Sequence, residues 1–166
     1  GPLTDVAIAR SGRYVALAGG NEVALCEAGP TGVSIVRRRG FQSNELVSAL
    51  SFFEDSDSPG GAALLVASGD LCLGWDPLEE VKESEMFLRI RSVTGGPVVN
   101  MVHFRSASGG ATEVLLLGME HGAVEVYDLR AMYEGGSQPP LRTVSVGGIL
   151  ADAALLGSGA FMALAV

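Results

Sequence analysis

Ser11-Gly12-Arg13-Tyr14-Val15-Ala16-Leu17-Ala18 returns as Ser158-Gly159-Ala160-Phe161-Met162-Ala163-Leu164-Ala165, 147 positions further along the chain. Both copies read Ser-Gly, any residue, aromatic, apolar, Ala-Leu-Ala. Self-similarity of this kind limits a chain more than composition does, because a short repeat cannot bury its apolar face alone and must stack on its neighbours. Upstream of each copy lies an apolar-x-x-apolar-x-apolar signature, Leu3, Val6 and Ile8 in the first and Leu150, Ala153 and Leu155 in the last. Two more copies fall between them, Val47, Leu50 and Phe52, then Val99, Val102 and Phe104. The starts at 3, 47, 99 and 150 are separated by 44, 52 and 51 residues, enough for four short strands and their turns in each unit.

Each unit follows one plan. A first strand ends in a turn at Arg10 to Arg13, Glu54 to Gly61 or Arg105 to Gly110. Second strands are expected at Tyr14–Ala18, Ala62–Ala67 and Glu113–Leu117, and third strands at Glu22–Cys26, Leu71–Trp75 and Ala123–Tyr127. A less regular fourth strand falls near Val33–Arg37, Met86–Ser92 and Leu141–Val146. The 23 glycines supply the tight turns that such short strands need. Near-continuous apolar runs in the inner strands indicate burial on both faces, as in sheets stacked face to face. Helix is expected only over Pro77 to Glu85, with Asp76 as its N-cap and Pro77 in the first helical position. The architecture implied is all-β, a β-propeller of about three and a half four-stranded blades, with blades at 1–45, 46–96 and 97–147 and the first half of another at 148–166.

The ends of the third strands carry a family resemblance. Gly69 to Asp76 closes on Trp75-Asp76, and Gly122 to Leu129 on Tyr127-Asp128-Leu129. With the apolar-x-x-apolar-x-Phe starts, these segments resemble the WD-repeat family over nearly the whole chain, as degenerate repeats. The family's Gly-His dipeptide is absent from every unit, and Gly95-Gly96-Pro97 stands near its place in the third. The family's buried Asp-His-Ser/Thr-Trp hydrogen-bond network is therefore not expected. The resemblance implies a protein-interaction scaffold within a multi-subunit assembly, WD-type propellers commonly having seven blades. An array ending inside a fourth unit leaves an apolar sheet face open, so the missing blades are expected from the rest of a longer chain or from a partner subunit.

Charge narrows the partner. The net charge of −8 divides into +2 over residues 1–40, −7 over 41–92 and −3 over 93–166. Phosphate neutralisation needs the opposite balance, so direct nucleic-acid binding is not expected, and basic protein surfaces suit the acidic middle better. The apolar stretch Val144 to Val166 is Gly-rich and interrupted by Asp152 and Ser158, unlike a membrane span. Two cysteines, Cys26 and Cys72, are too few for a disulfide framework and read as buried small hydrophobes of an intracellular protein, cytoplasmic or nuclear.

No residue set has the spacing of a catalytic or metal centre, and neither enzyme activity nor a cofactor is expected. His103 and His121 have no second ligand at metal spacing. Glu54, Asp55 and Asp57 run into Pro59-Gly60-Gly61 where a calcium loop needs more ligands. Gly118 to Gly122 lacks the Lys-Ser/Thr ending of a phosphate loop. Two partner-binding candidates stand out. Arg37-Arg38-Arg39 is the one basic cluster, suited to an acidic partner. Tyr127-Asp128-Leu129-Arg130 resembles the Trp-Asp-x-Arg box of WD-repeat substrate receptors that dock on a cullin-4 ubiquitin ligase adaptor. That resemblance implies a charge contact for Arg130 and a positioning role for Asp128, and makes a ubiquitin-ligase substrate receptor the alternative to a scaffold.

Overall fold

A computed structural model describes residues 1–41, 45–53, 61–79, 86–105, 113–148, 152–156 and 161–165. They form β1 (Leu3–Ile8), β2 (Tyr14–Gly19), β3 (Glu22–Gly29), β4 (Gly32–Gly40), β5 (Val47–Phe52), β6 (Leu64–Ser68), β7 (Leu71–Trp75) and β8 (Leu88–Arg91). Then follow β9 (Val98–Arg105), β10 (Glu113–Met119), β11 (Ala123–Asp128), helix α1 (Leu129–Gly135), β12 (Arg142–Ser145), β13 (Asp152–Leu156) and β14 (Phe161–Ala165). Three antiparallel four-stranded sheets run in chain order, β1–β4, β5–β8 and β9–β12, and β13 pairs with β14. The repeat is visible in the backbone, since β2 opens at Tyr14 and β14 at Phe161. The Ser158-Gly159 turn before β14 lies outside the described residues, as does the acidic segment 54–60.

The sheets stack through complementary faces. In β6 every residue is buried, with Leu64 and Val66 in the cluster shared with the first sheet and Leu65 and Ala67 in the cluster shared with the third. A period of two sends alternate side chains to opposite faces, so a strand between two neighbours must be apolar throughout. By contrast β2 alternates, with Tyr14, Ala16 and Ala18 buried against the second sheet and Val15, Leu17 and Gly19 only half-buried on the other side. Each fully buried Leu or Val contributes about 1.5–3 kcal/mol, and these two clusters hold most of the core.

The first strands of successive sheets meet one another, β1 with β5, β5 with β9 and β9 with β13. Side chains stitch them. Asp5 Oδ2 accepts from Leu50 N at 2.7 Å, and Ser48 Oγ donates to the Val98 carbonyl. Backbone bonds repeat the same link, Val47 N to Gly20 O and Val98 N to Gly69 O, both 2.8 Å. The first strands of the second and third sheets are thus each tied to the turn of the preceding unit.

Of the segment where the sequence led one to expect helix, only Pro77 to Glu79 are described. Asp76 Oδ1 accepts from Leu78 N at 2.9 Å, and Glu79 N reaches Asp76 O at 3.2 Å, so Pro77 to Glu79 form a turn. Residues 80–85 of that expected helix lie outside the described residues. Among the described residues the helix is α1, between the third and fourth strands of the third sheet, with Leu129 and Met132 buried in the cluster between the second and third sheets. The spacing of those two residues puts them on one helical face, and Gly136 ends the helix by donating to the Met132 carbonyl at 2.9 Å.

Candidate functional site

The three arginines of the basic cluster divide between two faces of β4. Arg37 and Arg39 pair with Leu25 and Val23 and turn toward the second sheet. There Arg37 Nε donates to the Pro77 carbonyl at 3.2 Å, and the Arg39 guanidinium stands 6.0 Å from the Trp75 ring centroid. Arg38 pairs with Ala24 and turns the opposite way, into a shallow depression lined also by Leu3, Leu17, Ala24 and Ile35. Alternation along a strand forces this division. Arg38 alone of the three adjoins the face turned away from the second sheet.

That outward face is apolar and open. Val6 pairs with Leu17 and Ile8 with Val15, all turned away from the second sheet, and across the bulge in β3–β4 Ile35 pairs with Cys26. Val6, Ile8 and Ile35 are 47%, 67% and 53% exposed, whereas Tyr14, Ala16, Ala18, Val23 and Leu25, on the inward face of the same sheet, are buried. Singly exposed aliphatic residues are ordinary, but a contiguous set on one sheet face marks a contact surface.

Asp128 and Arg130 sit at the start of α1. The Asp128 side chain accepts from Ala131 N at 3.1 Å and caps the helix, while Arg130 is exposed. Capping accounts for an Asp at this position without an external partner.

A buried polar joint escaped sequence reasoning. Glu125, in the middle of β11, is fully buried. Its Oε1 accepts from Ser92 Oγ at 2.9 Å, Thr94 N at 2.7 Å and Thr94 Oγ1 at 2.6 Å, and its Oε2 accepts from the Tyr127 hydroxyl. Burial alone pushes the Glu125 carboxyl up, but the four hydrogen bonds outweigh it and hold the group below its ordinary value. Burial, then the bond to Glu125, pushes the Tyr127 phenol up, so it stays a donor. The signal in the sequence was a lone acid inside an apolar strand, Val124-Glu125-Val126.

The equivalent joint between the first and second sheets is apolar. Phe41 N donates to Asn21 O at 2.8 Å and Ser92 N to Asp70 O at 2.9 Å, which makes Phe41 and Ser92 counterparts. Phe41 meets Trp75 edge-on, with centroids 5.9 Å apart. Trp75, the last residue of β7, and Tyr127, the last but one of β11, both face the preceding sheet.

The remaining candidates have structural surroundings. Cys26 and Cys72 are both free and buried, and burial pushes the Cys72 thiol up to about 12. His103 stacks on Phe53 with centroids 5.3 Å apart, and His121 lies in the exposed turn after β10. Among the described residues no three His, Cys, Asp or Glu side chains gather as a metal centre, and no helix is long and apolar enough to cross a membrane.

No protein-family model matches the chain, and no curated protein does. Solved structures do. The chain is similar to the β-propeller domain of Cps50 (Swd1) from Myceliophteria thermophila, with a TM-score of 0.68 at 19% identity over 98% of this chain and 48% of that one. It is also similar to Raptor from Chaetomium thermophilum, with a TM-score of 0.66 at 18% identity over 96% of this chain and 14% of that one. The chain therefore spans about half the length of the first and a small part of the second. With three four-stranded antiparallel sheets stacked face to face, their first strands meeting, and Trp75-Asp76 ending a third strand, this chain has the fold of a WD-type β-propeller, as three sheets and the first hairpin of a fourth.

Proposed function

We propose that the chain is a segment of a protein-interaction scaffold in a multi-subunit assembly, divided into blades at 1–45, 46–96, 97–147 and 148–166. The observation that carries this reading is the open apolar face of the first sheet, formed by Val6, Ile8 and Ile35 beside Arg38. Sheets in this molecule cover each other's faces wherever two adjoin, so a further sheet is the natural occupant. It comes from the same polypeptide or from a partner subunit. The net charge of −8 favours protein over nucleic acid as the partner, and two free buried thiols accord with an intracellular setting. Loops at the sheet ends then serve further partners, without catalysis. The test is the association state of the isolated chain beside an Ile8→Asp, Ile35→Asp variant. Self-association that the variant abolishes supports the reading, and a monodisperse monomer for the unaltered chain sinks it.

The alternative, a ubiquitin-ligase substrate receptor, rests on the exposure of Arg130 next to Asp128. Adaptor pull-down with Arg130→Ala tests it, and binding that does not change removes it.

A further inference from the structure

We propose that Thr94 is a phosphorylation site for an arginine-directed Ser/Thr protein kinase, and that the phosphate opens the joint between the second and third sheets. Such a kinase reads basic side chains on an extended substrate through an acidic groove. The segment leading to Thr94 has that form. Among the described residues β8 is paired only with β7, so its other edge offers extended backbone. Its burial alternates, with Leu88 and Ile90 inward and Arg89 and Arg91 exposed. The two guanidinium groups thus stand five and three residues ahead of Thr94. Among the described residues Arg91 is held by a surface pair with Asp70, which costs little to exchange for a kinase carboxylate. Thr94 is exposed as a residue, whereas Ser92, two positions earlier, is buried.

The chemistry balances with a nucleoside triphosphate as co-substrate. Thr94 Oγ1 bonds to the γ-phosphorus, the bond from that phosphorus to the β–γ bridging oxygen breaks, and the nucleoside diphosphate leaves. The hydroxyl proton passes to the kinase's base.

The consequence follows from where that oxygen points. Thr94 Oγ1 is 2.6 Å from Glu125 Oε1 and donates its proton there. Phosphorylation removes the donor and sets a phosphate carrying about −1.5 to −2 charges against a fully buried carboxylate. The four groups that hold Glu125, the hydroxyls of Ser92, Thr94 and Tyr127 and the Thr94 amide, are uncharged, so none neutralises the phosphate. The same loop also carries Pro97 O, which accepts from Glu120 N of the third sheet's turn at 3.0 Å. Displacing Thr94 therefore loosens a segment attached to both sheets.

The test uses the full chain, labelled ATP with magnesium, and a purified kinase that selects arginine at the fifth and third positions before the acceptor. One phosphate at Thr94, reduced about tenfold or more in an Arg89→Ala, Arg91→Ala variant, is expected. Incorporation elsewhere, undiminished incorporation in that variant, or none at all overturns the site. Thr94→Ser keeps the hydroxyl and the amide and is expected to accept phosphate, which separates loss of the acceptor from loss of the fold. Phosphorylated protein is expected to melt about 5 °C lower, with a smaller drop in a Glu125→Gln background. An unchanged melting temperature, or an equal drop in both backgrounds, overturns the opening of the joint.

Discussion

Ser92 Oγ lies 2.9 Å from Glu125 Oε1, so a side chain that follows the outer strand of the second sheet holds a buried carboxylate of the third. Glu125→Ala leaves its donors without an acceptor and is expected to cost about 2–4 kcal/mol in denaturant melts. Glu125→Gln keeps the shape and loses the charge, and is expected to cost less. The pH dependence has a definite sign. The folded carboxyl lies below its ordinary value, so its contribution is present above the unfolded pKa of about 4.3 and is lost as pH falls through the folded value. Urea midpoints from neutral pH downward are expected to fall less steeply for Glu125→Gln than for the unaltered chain, and parallel curves would contradict the assignment.

Among the glycines of the described residues, Gly122 is the least replaceable. Its φ is +86°, and a Cβ there would lie 2.0 Å from the Gly148 carbonyl oxygen. That neighbour is backbone and cannot rotate away. Gly122→Ala is expected to destabilise by about 3 kcal/mol or more, read as a shifted urea midpoint. A neutral substitution would show that the 122–148 contact is not formed in solution.

Cys72 is expected to resist thiol reagents. Its Sγ is buried, donates to the Met101 sulfur at 3.5 Å, and has its pKa pushed up to about 12 by desolvation. At pH 8 a disulfide reagent is expected to label it only as the protein unfolds, at the rate of loss of tertiary signal. Prompt labelling of the native chain would mean that the interface between the second and third sheets opens readily.

Asp128 and Arg130 separate capping from docking. Asp128→Ala is expected to cost about 1 kcal/mol through the lost bond to Ala131 N, and Arg130→Ala to change stability by less than about 0.5 kcal/mol. Equal losses from the two substitutions would contradict the capping geometry.

The sheets were legible because their cause is local. Leu71–Trp75 is a continuous apolar run between Gly-Asp and Asp-Pro turns, and it forms β7 with those limits. The same holds for the start of β2 at Tyr14, where Ser11-Gly12 sets the turn. What stayed hidden depends on contacts between units. Arg37-Arg38-Arg39 reads as one basic patch in sequence, and only the strand's alternation shows two residues braced on the second sheet and one beside the outward face. Glu125 resembles a misplaced surface acid until Ser92 and Thr94, more than thirty residues earlier, are brought against it. Helix α1 left a readable trace in Asp128, Leu129, Met132 and Gly136, a cap, two residues on one face and a stop. The family's Trp-Asp pattern directed attention to the same residues as a docking box.

The contrast between Phe41 and Ser92 has a consequence for assembly order. Were the third sheet to settle on the first, Glu125 would be sealed against an aromatic ring that offers it no donor. A second sheet seated where the third belongs would set Leu73 and Trp75 against the hydroxyls of Ser92 and Thr94, leaving those donors without an acceptor. Units with one backbone plan are thereby made non-interchangeable, and the chain carries at each joint a chemical address that only the correct neighbour satisfies.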